Sequence, residues 1–258
     1  MLRQYFDIKK SCPGSILLYR VGDFYETYGE DAEIASRELE IVLTSRDAGK
    51  GKKIQMAGVP HHAVDQYIRA LISKGFRLAI CDQVEDPKLS KGIVKREVVR
   101  IITSGTISDP EMLDSARNNY LMSIGSGRNG YGIAVADVST GEFWATQIEM
   151  TGNGNLVDEV SRWQPAEVLL DPYVGEDEGF KKTLERAKAS YLPWEEVPDE
   201  AESRKILLEH FKSGTLEGFG IGDSNEAVKA AAVLVKYIRE TSKVEASSLK
   251  KISVYSAP

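Results

Sequence analysis

The chain has 258 residues, 42% hydrophobic and 28% charged, with a net charge of -6, enough for one large or two medium domains with cores of their own. No apolar run approaches the roughly 18 residues of a membrane span, and no signal peptide opens the chain. Two cysteines, Cys12 and Cys81, make no disulfide framework, so a reducing, cytoplasmic setting is expected, and the acidic balance argues mildly against a nucleic-acid binder.

MLRQYFDIKKS reads as a short helix with Leu2, Tyr5 and Phe6 on one face, stopped by Pro13-Gly14. Ser15 to Val21 follows as a near-continuous apolar strand, and the chain is expected to stay extended past Gly22 as far as Tyr28. EDAEIASRELE predicts a helix, IVLTSR a strand, and DAGKGKK a flexible basic loop. HHAVDQYIRALISKG places Val64, Tyr67, Ile68, Leu71 and Ile72 at helical spacing, with Gly75 as the stop. FRLAICDQV and GIVKREVVRIITSG read as strands, and Cys81 in the first of them reads as a small core residue. GTISDPEMLDSARNN has no sustained period and reads as a linker. NYLMSIGSG and YGIAVADVSTGEFWATQI then predict three strands, with Ser139-Thr140-Gly141 as a hairpin turn. Helix LVDEVSRW, strand EVLLD and helices EGFKKTLERAKAS, AESRKILLEHF and SNEAVKAAAVLVKYIRETSK complete the series, the last with Asp223 as a candidate N-cap and Glu226 three residues on.

These elements predict an α/β protein of two domains: a mixed-sheet α/β domain over 1–105, a linker over 106–118, and a second mixed sheet covered by helices over 119–258. The charge divides with them. Residues 1–108 carry 17 basic against 14 acidic side chains, a net of +3, and the remainder carries 16 against 25, a net of -9. Contact with an anionic polymer is therefore expected in the first half.

GDFYE, residues 22–26, puts Phe24 and Glu26 on one face of an extended segment and Asp23 and Tyr25 on the other. One reading packs Phe24 into the core and leaves Glu26 in solvent. The other offers Phe24 as a stacking wedge and Glu26 as its hydrogen-bonding neighbour to a planar ligand such as a base. An apolar wedge entering from the minor groove costs a few kcal/mol of lost stacking. A weakly paired step loses less, so such a wedge favours mismatched or damaged DNA without reading sequence.

Basic side chains cluster in SRDAGKGKK and KLSKGIVKREVVR, as solvated lysines or as phosphate contacts. Arg96 and Arg100 are expected on one face of a strand and Arg46 at the end of another. The P-loop pattern G-x-x-x-x-G-K-[ST] occurs nowhere in the chain. His61 and His62, adjacent at a helix start and without a third ligand at suitable spacing, read as structural. Asp137 and Glu142 flank the hairpin of the second half. With Asp158, Glu159 and Asp171 as possible partners, they raise the alternative of a metal-dependent nuclease.

QYFDIKK, LLYRVGDFYE, IVLTSR, MAGVPHHAVDQYI, LAICDQVEDP and REVVRIITSGT occur in this order over most of residues 1–107. In them the chain resembles the MutS family of DNA mismatch-recognition ATPases. The second half resembles, more weakly, the connector domain of that family, a ribonuclease H-like fold without nuclease activity. The resemblance implies that Phe24-Tyr25-Glu26 is the family's Phe-x-Glu motif, with Phe24 stacking on a mispaired base and Glu26 hydrogen-bonding it. It places Arg46 and Arg96 at DNA-contacting positions and Met56 near the wedge, whereas Asp47 stands where relatives often have a basic residue or glycine. It also implies mismatched double-stranded DNA as ligand, a homodimer in the intact protein, and possible docking of MutL on the connector. A cytoplasmic, nucleoid-associated setting is implied as well. The family's ATP- and Mg²⁺-dependent domains have no counterpart in these residues, and the chain stops at VYSAP without a closing element. An N-terminal fragment without enzymatic activity of its own is expected, with a pure protein-docking module as a further alternative.

Overall fold

The computed structural model describes residues 1–49, 51–85, 92, 94–113, 117–128, 130–149, 154–194, 196–241 and 245–256. Contacts divide the chain into two units, Met1–Thr103 and Ser104–Pro258. Each is a mixed α/β unit built on a six-stranded sheet.

The first unit runs α1 (Leu2–Lys9), β1 (Ser15–Val21), β2 (Phe24–Tyr28), α2 (Glu30–Leu39), β3 (Thr44–Gly49), β4 (Lys52–Pro60), α3 (Val64–Ile72), β5 (Arg77–Gln83) and β6 (Arg96–Ile102). The sheet order is β3-β4-β2-β1-β5-β6, antiparallel throughout except for the parallel pair β1–β5. The near-continuous apolar run of β1 follows from its central place, where both sheet faces are covered. Tyr5 of α1 packs with Leu17, Tyr19, Tyr28, Ala79 and Cys81 on one face. Ile68, Leu71 and Ile72, the buried stripe of α3, lie among the residues at helical spacing.

Two expectations change here. The chain after Gly22 is extended as expected, over Phe24–Tyr28, but it does not run on in line with β1. It reverses, because Gly22 takes φ +58 and lets Gly22-Asp23 close a two-residue hairpin in which Val21 pairs with Phe24. The stretch expected as a basic loop is in part hairpin: Asp47 and Gly49 end β3, and Lys52–Pro60 is a full strand between β2 and β3. Lys50 and most of KLSKGIVK lie outside the described residues.

The second unit begins with Ser104 and Gly105 anchored to it, Gly105 N donating to Glu167 Oε2 at 2.8 Å. Its strands are β7 (Tyr120–Gly127), β8 (Gly130–Asp137), β9 (Glu142–Ile148), β10 (Glu167–Leu170), β11 (Ser190–Pro193) and β12 (Ser253–Val254). Their order is β11-β10-β7-β8-β9-β12, an antiparallel β7-β8-β9 meander flanked by parallel pairs, which is the mixed sheet expected of a ribonuclease H-like fold. Every residue of β8 is buried. Ile133 and Val135 face α4 (Gly154–Trp163) and α6 (Glu178–Arg186), while Ala134 and Ala136 face α7 (Glu200–Phe211) and α8 (Asn225–Thr241). Pro172–Gly175 is the short α5. Helix α8 starts at Asn225, and Val228 N donates to Ser224 O at 2.9 Å, so the cap position falls on Ser224 and not on Asp223. No helix among the described residues is long and apolar enough to cross a membrane.

Candidate nucleic-acid interface

Antiparallel register places opposed residues on one face of a sheet. Phe24 is opposite Val21 and Pro60, Glu26 opposite Tyr19 and Gly58, and Tyr28 opposite Met56, which in turn opposes Thr44. Arg46, opposite Ile54, joins the same face. Phe24, Glu26, Tyr28, Met56 and Arg46 thus share one side of the β1-β2-β4-β3 ribbon. Phe24 stands beside the Gly22-Asp23 turn with 48% of its surface exposed. Leaving a phenylalanine half in water forgoes on the order of 1 kcal/mol of burial. Tyr25, between the two motif residues, points to the opposite face, where its hydroxyl donates to Asp82 Oδ1 at 2.7 Å and its ring lies 5.6 Å from that of His61.

Glu26 is only partly exposed and already engaged. Its Oε2 accepts from Arg46 Nη1 at 3.0 Å and from the Tyr28 hydroxyl, and Arg46 Nη1 also donates to the Tyr28 oxygen at 2.9 Å. Burial first, and the adjacent Glu26 carboxylate second, raise the Tyr28 hydroxyl above the ordinary phenol range. Arg46 therefore neutralises the carboxylate that would otherwise repel phosphates. Asp47, adjacent in sequence, does not compete for Arg46. Its Oδ1 accepts from Gly49 N at 2.7 Å within the hairpin.

Met56 and Arg96 are held by the packing around Tyr5 and Tyr19. Met56 is level with Tyr28, four residues along β4 from the partner of Phe24, or roughly 13 Å along the strand. It packs against the Tyr5–Tyr28 cluster and not beside the wedge. Arg96 is buried, with 8% exposure. Its Nε donates to Arg20 O at 2.6 Å, its Nη1 donates to Val94 O at 2.8 Å and to Gln4 Oε1 at 3.3 Å, and the guanidinium lies 4.9 Å from the Tyr19 ring. A guanidinium so placed ties α1, β1 and β6 together. It does not share a face with Arg100. The register slips between Ile80 and Cys81, leaving Val99 as an extra residue and reversing the alternation, so that Arg100 lines a cleft with Tyr25, His61 and Asp82 on the far face.

In the second unit the carboxylates do not converge. Asp137 Oδ1 accepts from Ser139 N and Oγ at 2.9 and 2.6 Å, and its Oδ2 accepts from Asn119 N at 2.9 Å, which fixes the turn after β8. Glu142 Oε2 accepts from Tyr120 OH at 2.9 Å. Asp171 caps α5 and binds Ser126, six residues along β7 from the partner of Asp137, a separation of roughly 20 Å. Glu159 Oε2 accepts from Tyr255 OH at 2.6 Å and Trp163 Nε1 at 3.0 Å. Among the described residues no three His, Cys, Asp or Glu side chains are grouped to hold a metal ion. The nuclease alternative loses its geometric basis.

Comparison with known proteins fits this division. Residues 1–111 match the family model for MutS domain I, and residues 119–253 match that for MutS domain II. The chain belongs to the MutS family. It is 45% identical over 259 residues to the DNA mismatch repair protein MutS of Ruminiclostridium cellulolyticum, a match covering 99% of this chain and 29% of that protein. The corresponding protein of Syntrophomonas wolfei is 44% identical over 262 residues, covering 100% of this chain and 30% of the relative. That of Lachnoclostridium phytofermentans is 43% identical over 259 residues, covering 99% and 27%. The chain thus spans about three-tenths of the length of these relatives.

Within this MutS domain I, Tyr28 is the residue that sequence reasoning missed. Its spacing of two from Glu26 and four from Phe24 already assigned it to their face. Only the register of β3 against β4 brings Arg46 to the same carboxylate.

Proposed function

We propose that this chain is the mismatch-recognition and connector portion of a DNA mismatch repair protein, with Phe24 stacking on a mispaired base from the minor groove and Glu26 hydrogen-bonding it. The observation that carries this reading is a phenylalanine left 48% exposed on a paired strand, on the same face as a partly buried glutamate two residues on. The family membership and the printed names of the relatives support it. A half-exposed aromatic on a hydrogen-bonded ribbon is a rigid wedge, and a mismatched step yields to it at lower unstacking cost. Arg46 is the phosphate-facing cation of this site, with Arg96 on the same face bracing α1, β1 and β6, and Met56 packing against the Tyr5–Tyr28 cluster.

The longer relatives frame the remaining roles. In this reading ATP and Mg²⁺ act through segments outside these 258 residues. The residues here do not fit that pair, because the phosphate-loop pattern is missing from the sequence and the described acids do not group around a metal. The chain itself is then a non-enzymatic recognition part of a protein that works as a homodimer in the bacterial cytoplasm on the nucleoid, with MutL docking on the acidic second unit. Titration of the 258-residue chain with a mismatched and a fully paired duplex at one low salt concentration tests the site. The wild type should prefer the mismatch by about tenfold, equivalent to about 1.4 kcal/mol. Phe24→Ala should bring the ratio close to unity, and a ratio retained in that variant would contradict the role of Phe24.

A further inference from the structure

The turn that carries Phe24 has both of its carbonyls taken. Gly22 O accepts from Arg20 Nε, and Asp23 O accepts from His61 N at 2.8 Å. His61 follows Pro60, the β4 residue opposite Phe24, so the second bond stitches the hairpin tip to the chain that enters α3. Carbonyls at the tip of a two-residue hairpin otherwise turn to water and hold the tip less firmly.

The residue after Phe24 is fastened on the opposite face. Tyr25 is 5% exposed, against 48% for Phe24. Its ring lies 5.6 Å from the Arg20 guanidinium carbon and 5.6 Å from the His61 ring. Its hydroxyl donates to Asp82 Oδ1 at 2.7 Å, a bond that reaches from β2 across β1 to β5. The two residues that hold the turn carbonyls thus also meet the Tyr25 ring, and Asp82 ties down its far end. Successive side chains of a strand point to opposite faces, so a fixed Tyr25 fixes the direction in which Phe24 leaves the sheet. A loose strand end would let Phe24 fold down and recover apolar burial. It would also give way when the ring is pressed between stacked bases.

We propose that Tyr25 and Asp82, with Arg20 and His61, are positioning residues that brace the Phe24 turn from the face opposite the wedge and thereby set its preference for mispaired DNA. The inference rests on the stacking reading of Phe24 given above and adds to it the residues that keep the wedge erect.

Two measurements on the 258-residue chain test it. Asp82→Ala removes the acceptor of the Tyr25 hydroxyl, whereas Asp82→Asn keeps one in its amide oxygen. In the free protein, NMR relaxation of the Gly22 and Asp23 amides should show order equal to that of β1 in the wild type and in Asp82→Asn, and lower order in Asp82→Ala. Equal order in wild type and Asp82→Ala overturns the brace whatever the DNA result. In the second measurement, the chain is titrated with a mispaired and a fully paired duplex at one low salt concentration. The wild type and Asp82→Asn should prefer the mispaired duplex by about tenfold and Asp82→Ala by about threefold or less, with affinity for the paired duplex unchanged. Ile72→Val, buried at the opposite end of α3 from His61, loosens the same unit away from the brace and should keep the wild-type ratio. An undiminished ratio in Asp82→Ala, or an equal fall in Asp82→Asn or Ile72→Val, overturns the proposal. A wild type with no preference for the mispaired duplex overturns the stacking reading itself, and the relaxation result then still decides whether the turn is braced.

Discussion

Phe24 and Asp31 show two opposite uses of a single side chain. Phe24 stays half exposed on a paired strand, whereas Asp31, buried at the start of α2, gathers Lys9 Nζ at 2.7 Å, Leu17 N at 2.9 Å and the Tyr5 hydroxyl at 3.1 Å. Leu17 N finds this partner beyond Tyr19, where the pairing of β1 with β2 ends, so the carboxylate stands in for a strand carbonyl. At the same scale, His210 supplies a pH test. Burial lowers its affinity for a proton below the ordinary value of 6.5, and its Nε2 lies 2.7 Å from Leu249 O. The fold therefore favours neutral imidazole, and the unfolded chain takes up the proton first as the pH falls. The second unit should lose stability as pH drops below about 6.5 toward the lowered folded-state value, with no such loss above it. Urea midpoints between pH 7.5 and about 5.5 should show this slope in the wild type and a flatter one in His210→Gln, which keeps a donor for Leu249. Identical slopes would remove His210 from the account.

At the scale of elements, apolar periodicity recovered what was long and regular: α3, α8, β1 and the β7-β8-β9 meander. It missed β4 because KKIQMAGVP mixes lysine, glycine and proline into a strand whose two faces are both only partly apolar. It missed β11, four residues ending in proline at a sheet edge, because so short a run carries no period. The bulge at Val99 was invisible for a different reason, since alternation is counted in sequence whereas register is set by the partner strand. In the site, the face shared by Phe24 and Glu26 was readable from spacing. The Arg46–Glu26–Tyr28 contact was not, because it depends on β3 pairing with β4. Packing of α8 on β8 gives a second element-scale test. A Cβ on Gly132 would lie 1.9 Å from Glu226 O and 2.1 Å from Glu226 C, backbone atoms that yield only if the helix moves. Gly132→Ala should destabilise the second unit by about 3 kcal/mol in urea unfolding, the upper range for overpacking, while leaving the chemical shifts around Phe24 unchanged. A neutral substitution would mean that α8 rides higher on the sheet than described.

For the whole molecule, charge is split unevenly between the two units, +3 over residues 1–108 against -9 beyond. A surface so weakly basic makes few phosphate contacts, and binding by these residues alone should be weak and gently salt-dependent. In the proposed reading, specificity comes from the Phe24 wedge more than from electrostatic grip, so the resting place of a mispaired base decides it. Photocrosslinking with 5-iodouracil at the mispaired position, with the adduct mapped by mass spectrometry, examines that contact directly. The account predicts a dominant adduct on Phe24 that disappears when the same base is fully paired. An adduct mapping away from the Phe24–Glu26 face, or one of equal yield on paired DNA, would contradict it.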